Sequence, residues 1–122
     1  MQGLLIEKDT SERNRIAGLL LSLGLDCDTV GEVPDGAEGL PFESPGFVIV
    51  KASKIADAQN MLQRLNHGKP VATTPIVICY TDSPRVDEIA ACILAGAADV
   101  LVNPFNRDVL RFKLEQAGLL PH

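Results

Sequence analysis

The sequence predicts an α/β domain of the (βα)5 type, in which five strands form a doubly wound parallel sheet with helices on both faces. Short apolar runs alternate along the chain with segments whose apolar residues recur at helical spacing. The run Phe47–Val50 is apolar on both faces, which is typical of a parallel sheet covered on both sides. The 122 residues fit a single domain, 1–122. For five such units the common strand order is 2-1-3-4-5.

The first strand and first helix carry the clearest local signals. Leu4–Ile6 is an apolar run, and Asp9 follows it as a helix N-cap with Glu12 as its capping-box partner. The apolar stripe of this helix is Ile16, Leu19, Leu20 and Leu23. Gly24 then ends the helix. Cys27–Val30 is predicted as the second strand.

The middle of the chain predicts a shortened second helix, a third strand and a third helix. The second helix begins at Asp35 and Gly36, and Pro41 stops it early, since proline removes a backbone donor. Phe47–Val50 is the third strand. The third helix has one apolar stripe, formed by Ile55, Ala58, Leu62 and Leu65.

The last part of the chain predicts two more strand and helix units. Ile76–Tyr80 is the fourth strand, and Ser83 caps the next helix with Pro84 in its first position. The predicted inward stripe of that helix is Val86, Ile89, Ala90 and Ile93. Val100–Val102 is the fifth strand, and Asn106 caps the final helix. Its inward face carries Leu110, Leu114 and Ala117.

Composition excludes several classes of function. Acids outnumber bases 16 to 11, which disfavours binding to a nucleic-acid backbone. No apolar run reaches the ~18–20 residues of a membrane span, and the N-terminus lacks a basic signal region, so we expect a cytoplasmic protein. Cys27, Cys79 and Cys92 are widely spaced and are predicted as reduced core thiols. We expect no zinc site, because neither histidine has a Cys or His neighbour at ligand spacing. We also expect no metal site of another kind and no cofactor.

Fold logic also predicts where a ligand would bind. In such sheets the site lies beyond the carboxyl ends of the strands, near the point where the strand order reverses. The polar residues that follow the strands there are Glu7, Lys8, Asp9, Lys51, Thr81 and Asn103.

These residues resemble those of a known family. The run Leu4–Asp9 resembles the first strand and acidic pair of bacterial response-regulator receiver domains, and Val33–Leu40 resembles the start of their second helix. Ala95–Phe105 resembles the family ending A-G-A-x-x-x-L-x-K-P-F. The resemblance covers nearly the whole chain and implies the flavodoxin-like receiver fold.

The resemblance also implies a site that this chain has lost. Receivers phosphorylate an aspartate at the end of strand 3, hold Mg²⁺ with two acids after strand 1, and bind the phosphoryl oxygens with a hydroxyl and a lysine. Here Lys51 replaces the phosphoacceptor, Lys8 replaces one acid and Asn103 replaces the lysine. We therefore expect Mg²⁺ binding to be lost or weak. The hydroxyl position is Thr81 when counted back from Gly96, and Tyr80 when counted forward from strand 4.

Two hypotheses describe the altered pocket. In the first, the Lys51 ammonium hydrogen-bonds Glu7 and the Asn103 side chain, so that an internal cation replaces the metal. In the second, Lys51 extends to solvent without a fixed partner. The bond between Asn103 and Pro104 is expected to be cis, as in the family.

The predicted function is a pseudo-receiver, a phosphorylation-independent protein-interaction or regulatory module in two-component signalling. The expected partner is a histidine kinase or another signalling protein, and a homodimer is also plausible. The expected surface comprises the fourth helix, fifth strand and fifth helix, with candidates Ala91, Ala95, Val100 and Arg111. The alternative is a sensor of a small anionic ligand or nucleotide, which uses Lys8, Lys51 and Lys54. No nucleophile–base pair, glycine-rich phosphate loop or cofactor motif supports an enzyme.

Overall fold

Five strands form one parallel sheet in the order β2-β1-β3-β4-β5. The computed structural model describes residues 2–34, 45–65, 75–83 and 85–121. The strands are β1 (Gly3–Ile6), β2 (Cys27–Val30), β3 (Phe47–Lys51), β4 (Ile76–Thr81) and β5 (Asp99–Val102). The predicted parallel α/β sheet and its strand order are confirmed.

Four α-helices lie within the described ranges. They are α1 (Thr10–Ser22), α2 (Ile55–Leu65), α3 (Val86–Leu94) and α4 (Arg107–Gln116), and a 3-10 turn (Ala52–Lys54) precedes α2. The predicted short helix between Asp35 and Pro41 lies outside the described residues. The predicted third, fourth and fifth helices therefore correspond to α2, α3 and α4. No helix in the described ranges has both the length and the apolar character that a membrane crossing requires.

Side chains alternate across each strand and build a core layer on either face of the sheet. We call these layers the α1/α4 face and the α2/α3 face after the helices that cover them. On the α1/α4 face, Leu5, Ile49 and Ile78 pack with Ile16 of α1 and Leu110 of α4. The α2/α3 face is formed in the same way, by Leu4, Val48, Val50, Val77, Cys79 and Val100 with residues of α2 and α3.

Helix α1 begins and ends where its sequence predicts. The Asp9 side chain accepts a hydrogen bond from the Glu12 backbone N–H at 2.9 Å, and Gly24 adopts a positive φ of 85° after the helix. The other half of the predicted capping box is wrong. The Asp9 backbone N–H donates to Glu7, which leaves the Glu12 carboxylate available for the contacts described below.

Helix α3 differs most from its prediction. Its N-cap is Arg85 rather than Ser83, without a side-chain cap bond, and Pro84 lies outside the described residues. Val86 and Ile93 are 81% and 46% exposed and Ala90 is exposed, so of the predicted stripe Ile89 alone packs against the core. The buried residue is Cys92. The reason is that apolar residues occur almost all round this helix, so their spacing could not identify the inner face.

The three cysteines are free thiols. Cys79 and Cys92 are buried in the α2/α3 face. Burial raises the pKa of Cys79 to about 12, with a further contribution from neighbouring Cys92. Burial likewise raises the pKa of Cys27 to about 11. Thiols of such high pKa hold their protons near neutral pH, as core cysteines do.

Candidate functional site

The site lies at the carboxyl edge of the sheet, where the polar residues that follow four strands come together. In the sheet register Lys51 lies opposite Tyr80, and Thr81 lies opposite Val102. We call this region the crevice. Its charged and amide side chains are Glu7, Glu12, Arg15, Lys51, Asp82 and Asn103.

Glu7 is buried and fully engaged by donors of the protein itself. Its side chain lies at the end of β1 with the residue only 6% exposed. One carboxylate oxygen accepts a hydrogen bond from the Asp9 backbone N–H at 2.9 Å, and the other accepts from the Tyr80 hydroxyl. Burial and the neighbouring Glu7 both raise the pKa of Tyr80. Tyr80 therefore remains a protonated donor, and Glu7 has no oxygen without a protein partner.

Lys51 does not contact Glu7 or Asn103 as the first pocket hypothesis predicted. Its ammonium instead pairs with Asp82, with 3.5 Å between Nζ and Oδ2. Asp82 follows β4, the neighbouring strand, and provides an exposed carboxylate, whereas Glu7 is turned toward Tyr80. The second hypothesis, a solvated lysine without a fixed partner, is also wrong. The Lys51 side chain is nevertheless 42% exposed, so this is a half-exposed ion pair.

Asn103 is the centre of a hydrogen-bond network across the crevice. Its Oδ1 accepts from Arg15 Nη2 at 2.9 Å. Its Nδ2 donates to Asp82 at 2.9 Å and to Glu12 at 3.2 Å. The hydrogen bond from Asn103 is the main cause that lowers the pKa of Asp82. The amide therefore uses both of its N–H donors and its oxygen to join α1, β5 and the segment after β4.

Arg15 reaches this network from helix α1. It donates to both Glu12 oxygens, with Nη2 to Oε1 at 2.7 Å and Nε to Oε2 at 3.2 Å. Nη1 donates to the Phe105 carbonyl at 3.2 Å, and the guanidinium lies 4.7 Å from the Phe105 ring centroid. The Arg15 hydrogen bond lowers the pKa of Glu12. Positive charge is thus present beside Asn103, although it comes from a different element than the lysine of the family.

Thr81 and Tyr80 point to opposite faces of the sheet. Tyr80 is fully buried in the α1/α4 face. The Thr81 hydroxyl donates to Glu88 of α3 at 3.0 Å and accepts from the Ser83 backbone N–H at 3.0 Å. Both residues lie near the crevice, so each of the two alternative alignments identified a side chain with a polar role.

The remaining predicted pocket residues lie at its rim. The Lys8 side chain is 85% exposed and lies 3.9 Å from Glu32. Pro104 is exposed, and its peptide bond with Asn103 is cis, as predicted.

The residues of the crevice do not fit the Mg²⁺ site that the receiver fold implies. Lys8 and Lys51 replace carboxylates of the family pattern, and both Glu7 oxygens already accept hydrogen bonds. Hard divalent cations need several available oxygen ligands. Within the described ranges, no three His, Cys, Asp or Glu side chains are grouped to hold a metal ion.

The sequence did not predict the hydrogen bonds that four crevice residues make: Glu12, Arg15, Tyr80 and Asp82. The i,i+3 spacing of Glu12 and Arg15 on one helix was a usable signal for their pairing. No local signal indicated that both would reach Asn103, which lies 88 residues beyond Arg15.

The expected interaction surface is partly exposed. Ala91, Ala95 and Arg111 are exposed, and Arg111 pairs with Glu115 at 3.0 Å. Val100 is only 6% exposed and packs in the α2/α3 face, so its place on this surface is wrong. Because the sheet is covered on both faces, successive β5 residues point alternately into the two core layers, and Val100 points into the α2/α3 layer.

Exposed apolar side chains lie on the same two helices. On α3 they are Val86, Ile93 and Leu94, and on α4 they are Val109 and Phe112. Leu94 is 88% exposed and Phe112 is 56% exposed. Such large apolar side chains in solvent are typical of interaction surfaces when they lie together.

The comparisons with known proteins agree with this geometry. No protein-family model matches the chain. Over 114 residues, 88% of this chain, it is 32% identical to the two-component response regulator-like protein APRR5 of Arabidopsis thaliana. The chain spans only 20% of the length of that relative.

Solved structures show the same fold. HP1043, an orphan response regulator of H. pylori, superposes with a TM-score of 0.69 at 22% identity, covering 98% of this chain and 97% of that chain. An atypical orphan response regulator, described as revealing a phosphorylation-independent regulatory mechanism, gives a TM-score of 0.70 at 21% identity, covering 96% and 94% of the two chains. The sequence similarity to APRR5, together with this shared fold, identifies the chain as a receiver-like domain of the response-regulator family.

Proposed function

We propose that this receiver-like domain works without phosphorylation, as a module that binds a signalling protein. The observation that carries the proposal is Lys51 at the end of β3, paired with Asp82. Phosphoryl transfer to a receiver requires a carboxylate oxygen at that position to attack phosphorus. A protonated ammonium has no free electron pair and cannot attack.

The surroundings of Lys51 support the same conclusion. Glu7 is occupied by the Tyr80 hydroxyl and a backbone N–H, so it is a poor metal ligand. Without Mg²⁺, no metal ion would bridge the phosphoryl oxygens to the carboxylates, and the crevice cations Arg15 and Lys51 are already paired with Glu12 and Asp82. We therefore propose that acceptor, metal site and catalysis were lost together.

The proposed partner surface consists of the exposed sides of α3 and α4. It combines Ala91, Ala95 and Arg111 with the apolar side chains of Leu94 and Phe112. Burial of such apolar area is the main driving force for protein association. The proposed partner is a histidine kinase or another signalling protein, and a second copy of the chain is the competing occupant.

The alternative function, a sensor of anionic ligands, has less support. Two of the three cations it would use, Lys8 and Lys51, already lie near Glu32 at 3.9 Å and Asp82 at 3.5 Å. An incoming anion would have to compete with these carboxylates. A thermal-shift panel of nucleotides tests this alternative, because a ligand that binds the folded state raises the melting temperature.

Phosphorylation is tested by incubating the protein with acetyl phosphate and Mg²⁺ and measuring intact mass. We expect no mass increase of one phosphoryl group under conditions that modify an ordinary receiver domain. The variant Lys51→Met is the matched control, since it removes the ammonium without adding an acceptor. A phosphoryl adduct on the wild-type protein would contradict the proposal.

The partner surface is tested by affinity capture with two matched variants. Leu94→Asp places a charge on α3, and Leu21→Asp places one on α1, where Leu21 is also exposed, at 64%. We expect the captured partner to be lost with Leu94→Asp and retained with Leu21→Asp. Loss with both variants, or with neither, would show that the α3 and α4 surface is not the binding site. Size-exclusion chromatography of the same proteins distinguishes a homodimer from a different partner.

A further inference from the structure

We infer that Arg15 supplies the positive charge beside Asn103, and that it holds the segment after β5, and through Asn103 the segment after β4, in one conformation. Its guanidinium, brought in by α1, supplies the charge that β5 lacks because Asn103 stands where the family has lysine. The inference rests on the proposed function, because phosphorylation cannot set the conformation of a crevice that is not phosphorylated. Contacts within the protein must then hold that conformation.

The contacts of Arg15 are those of a clamp between elements. Its guanidinium donates to Glu12 on its own helix and to Asn103 Oδ1 at the end of β5. It also donates to the Phe105 carbonyl, between β5 and α4. The planar guanidinium directs these donors in fixed directions, which a flexible ammonium would not do. Helix α1 is therefore tied to the segment that follows β5.

The charges around Asn103 balance without any ligand. Two cations, Arg15 and Lys51, face two anions, Glu12 and Asp82. Asn103 joins the two pairs by donating to both carboxylates. A polar network in which each member has a partner is self-sufficient, and its charge-assisted bonds are the strong type.

The network continues to the proposed partner surface. Asp82, one of its members, directly follows Thr81, and the Thr81 hydroxyl donates to Glu88 on α3. The Ser83 backbone N–H donates back to the Thr81 hydroxyl. The arrangement at Asn103 is thereby linked to helix α3, so the clamp fixes the partner surface in one state.

Amide hydrogen exchange of the full chain tests the clamp. Arg15→Met keeps an apolar side chain against the Phe105 ring and removes the charge and the donors. We expect the backbone N–H groups of Asn103 and Ser83 to exchange at least about tenfold faster than in the wild type, because hydrogen bonds to charged groups are strong. The Leu25 N–H, which donates to Leu20 far from the crevice, should exchange at the wild-type rate.

A matched control and a double variant separate donor geometry from charge. Arg111→Met removes an exposed arginine and its ion pair with Glu115, and should leave Asn103 and Ser83 protected. The double variant Arg15→Met with Asn103→Lys returns a cation to β5 but not the planar donors, and we expect its Ser83 N–H to exchange as fast as in Arg15→Met. Recovered protection at Ser83 would show that positive charge alone, rather than the directed donors of Arg15, orders the crevice.

The possible outcomes are distinct. Wild-type exchange at Asn103 in Arg15→Met, or recovered protection at Ser83 in the double variant, would overturn the clamp and leave the proposed function standing. Phosphoryl uptake by the wild-type protein would overturn the proposed function whatever the exchange rates. If Arg15→Met does not fold, Arg15→Lys serves instead. It keeps the charge without the planar donors, and exchange at Asn103 as slow as in the wild type would overturn the clamp.

Discussion

The two faces of the sheet end differently at the crevice. On the α1/α4 face the core continues into polar contacts, from buried Tyr80 and Glu7 to the network of Arg15 and Asn103. On the α2/α3 face the core ends in one hydroxyl, Thr81, bonded to Glu88. Beyond it, α3 exposes apolar side chains to solvent. The α1/α4 face therefore continues into an internal polar network at the crevice, whereas α3 on the other face carries exposed apolar side chains.

The largest expected effect on stability comes from a buried leucine on the α1/α4 face, compared with an exposed leucine on α3. Leu20 in α1 is fully buried, whereas Leu94 in α3 is 88% exposed. We expect Leu20→Ala to lower the free energy of unfolding by about 2–5 kcal/mol, because it removes packed methyl groups and leaves a cavity. Leu94→Ala should change it by no more than ~0.5 kcal/mol. Urea unfolding followed by circular dichroism measures both, and similar losses would mean that α3 is covered in the native domain.

The next largest effect on the free energy of unfolding comes from the two polar residues at the end of β4, Tyr80 and Thr81. Tyr80→Phe removes the hydroxyl that donates to buried Glu7. We expect a loss of about 1–3 kcal/mol in the free energy of unfolding, because a buried acceptor is left without its donor. Thr81→Val should cost less, about 0.5–1.5 kcal/mol, since Glu88 is only partly buried and can reach water. The reverse order in urea unfolding would place the more important polar contact on the α2/α3 face.

A smaller effect concerns acid pH. Arg15 lowers the pKa of Glu12 below its ordinary value of 4.5, and Asn103 and Lys51 lower that of Asp82 below 3.8. A depressed pKa in the folded state contributes stability that is complete above the unfolded value and is lost as pH falls through the folded value. The wild-type protein should therefore lose stability below about pH 4.5.

The variant Arg15→Met isolates this contribution, because it removes the main cause of the shift at Glu12. We expect its urea midpoint to fall less steeply than that of the wild type between about pH 5 and pH 3. Asp82 is 68% exposed, so solvent screening should keep its part small. If the urea midpoints of the two proteins fell equally steeply with pH, Arg15 would not be the cause of the lowered pKa of Glu12.

Local signals in the sequence predicted the fold well and the crevice only in outline. The strands and the Asp9 and Asn106 caps follow from short patterns, and the structure has them. The strand order followed from a rule for five βα units and the cis bond at Pro104 from the family resemblance, and both are present. The sequence also showed that Lys51 and Asn103 replace the aspartate and the lysine of the receiver family pattern.

The partners inside the crevice could not be predicted, because they depend on which residues the fold brings together. Lys51 had several acids within plausible reach, and the choice of Asp82 over Glu7 follows from the Tyr80 hydroxyl occupying Glu7. The contact between Arg15 and Asn103 joins residues 88 positions apart. The inner face of α3 was undetermined for a different reason, since apolar residues on all sides erase the periodic signal.

The smallest expected effect comes from Lys51, the residue on which the proposed function chiefly rests. The Lys51 and Asp82 side chains are 42% and 68% exposed and 3.5 Å apart, so water and salt screen their attraction. Lys51→Met should change the free energy of unfolding by less than ~1 kcal/mol, and added salt should shrink the difference. A loss larger than that of Tyr80→Phe would mean that Lys51, rather than Glu7 and Arg15, organises the crevice. If the loss is small, Lys51 matters for the chemistry it prevents, while the order of the crevice depends on the α1/α4 face.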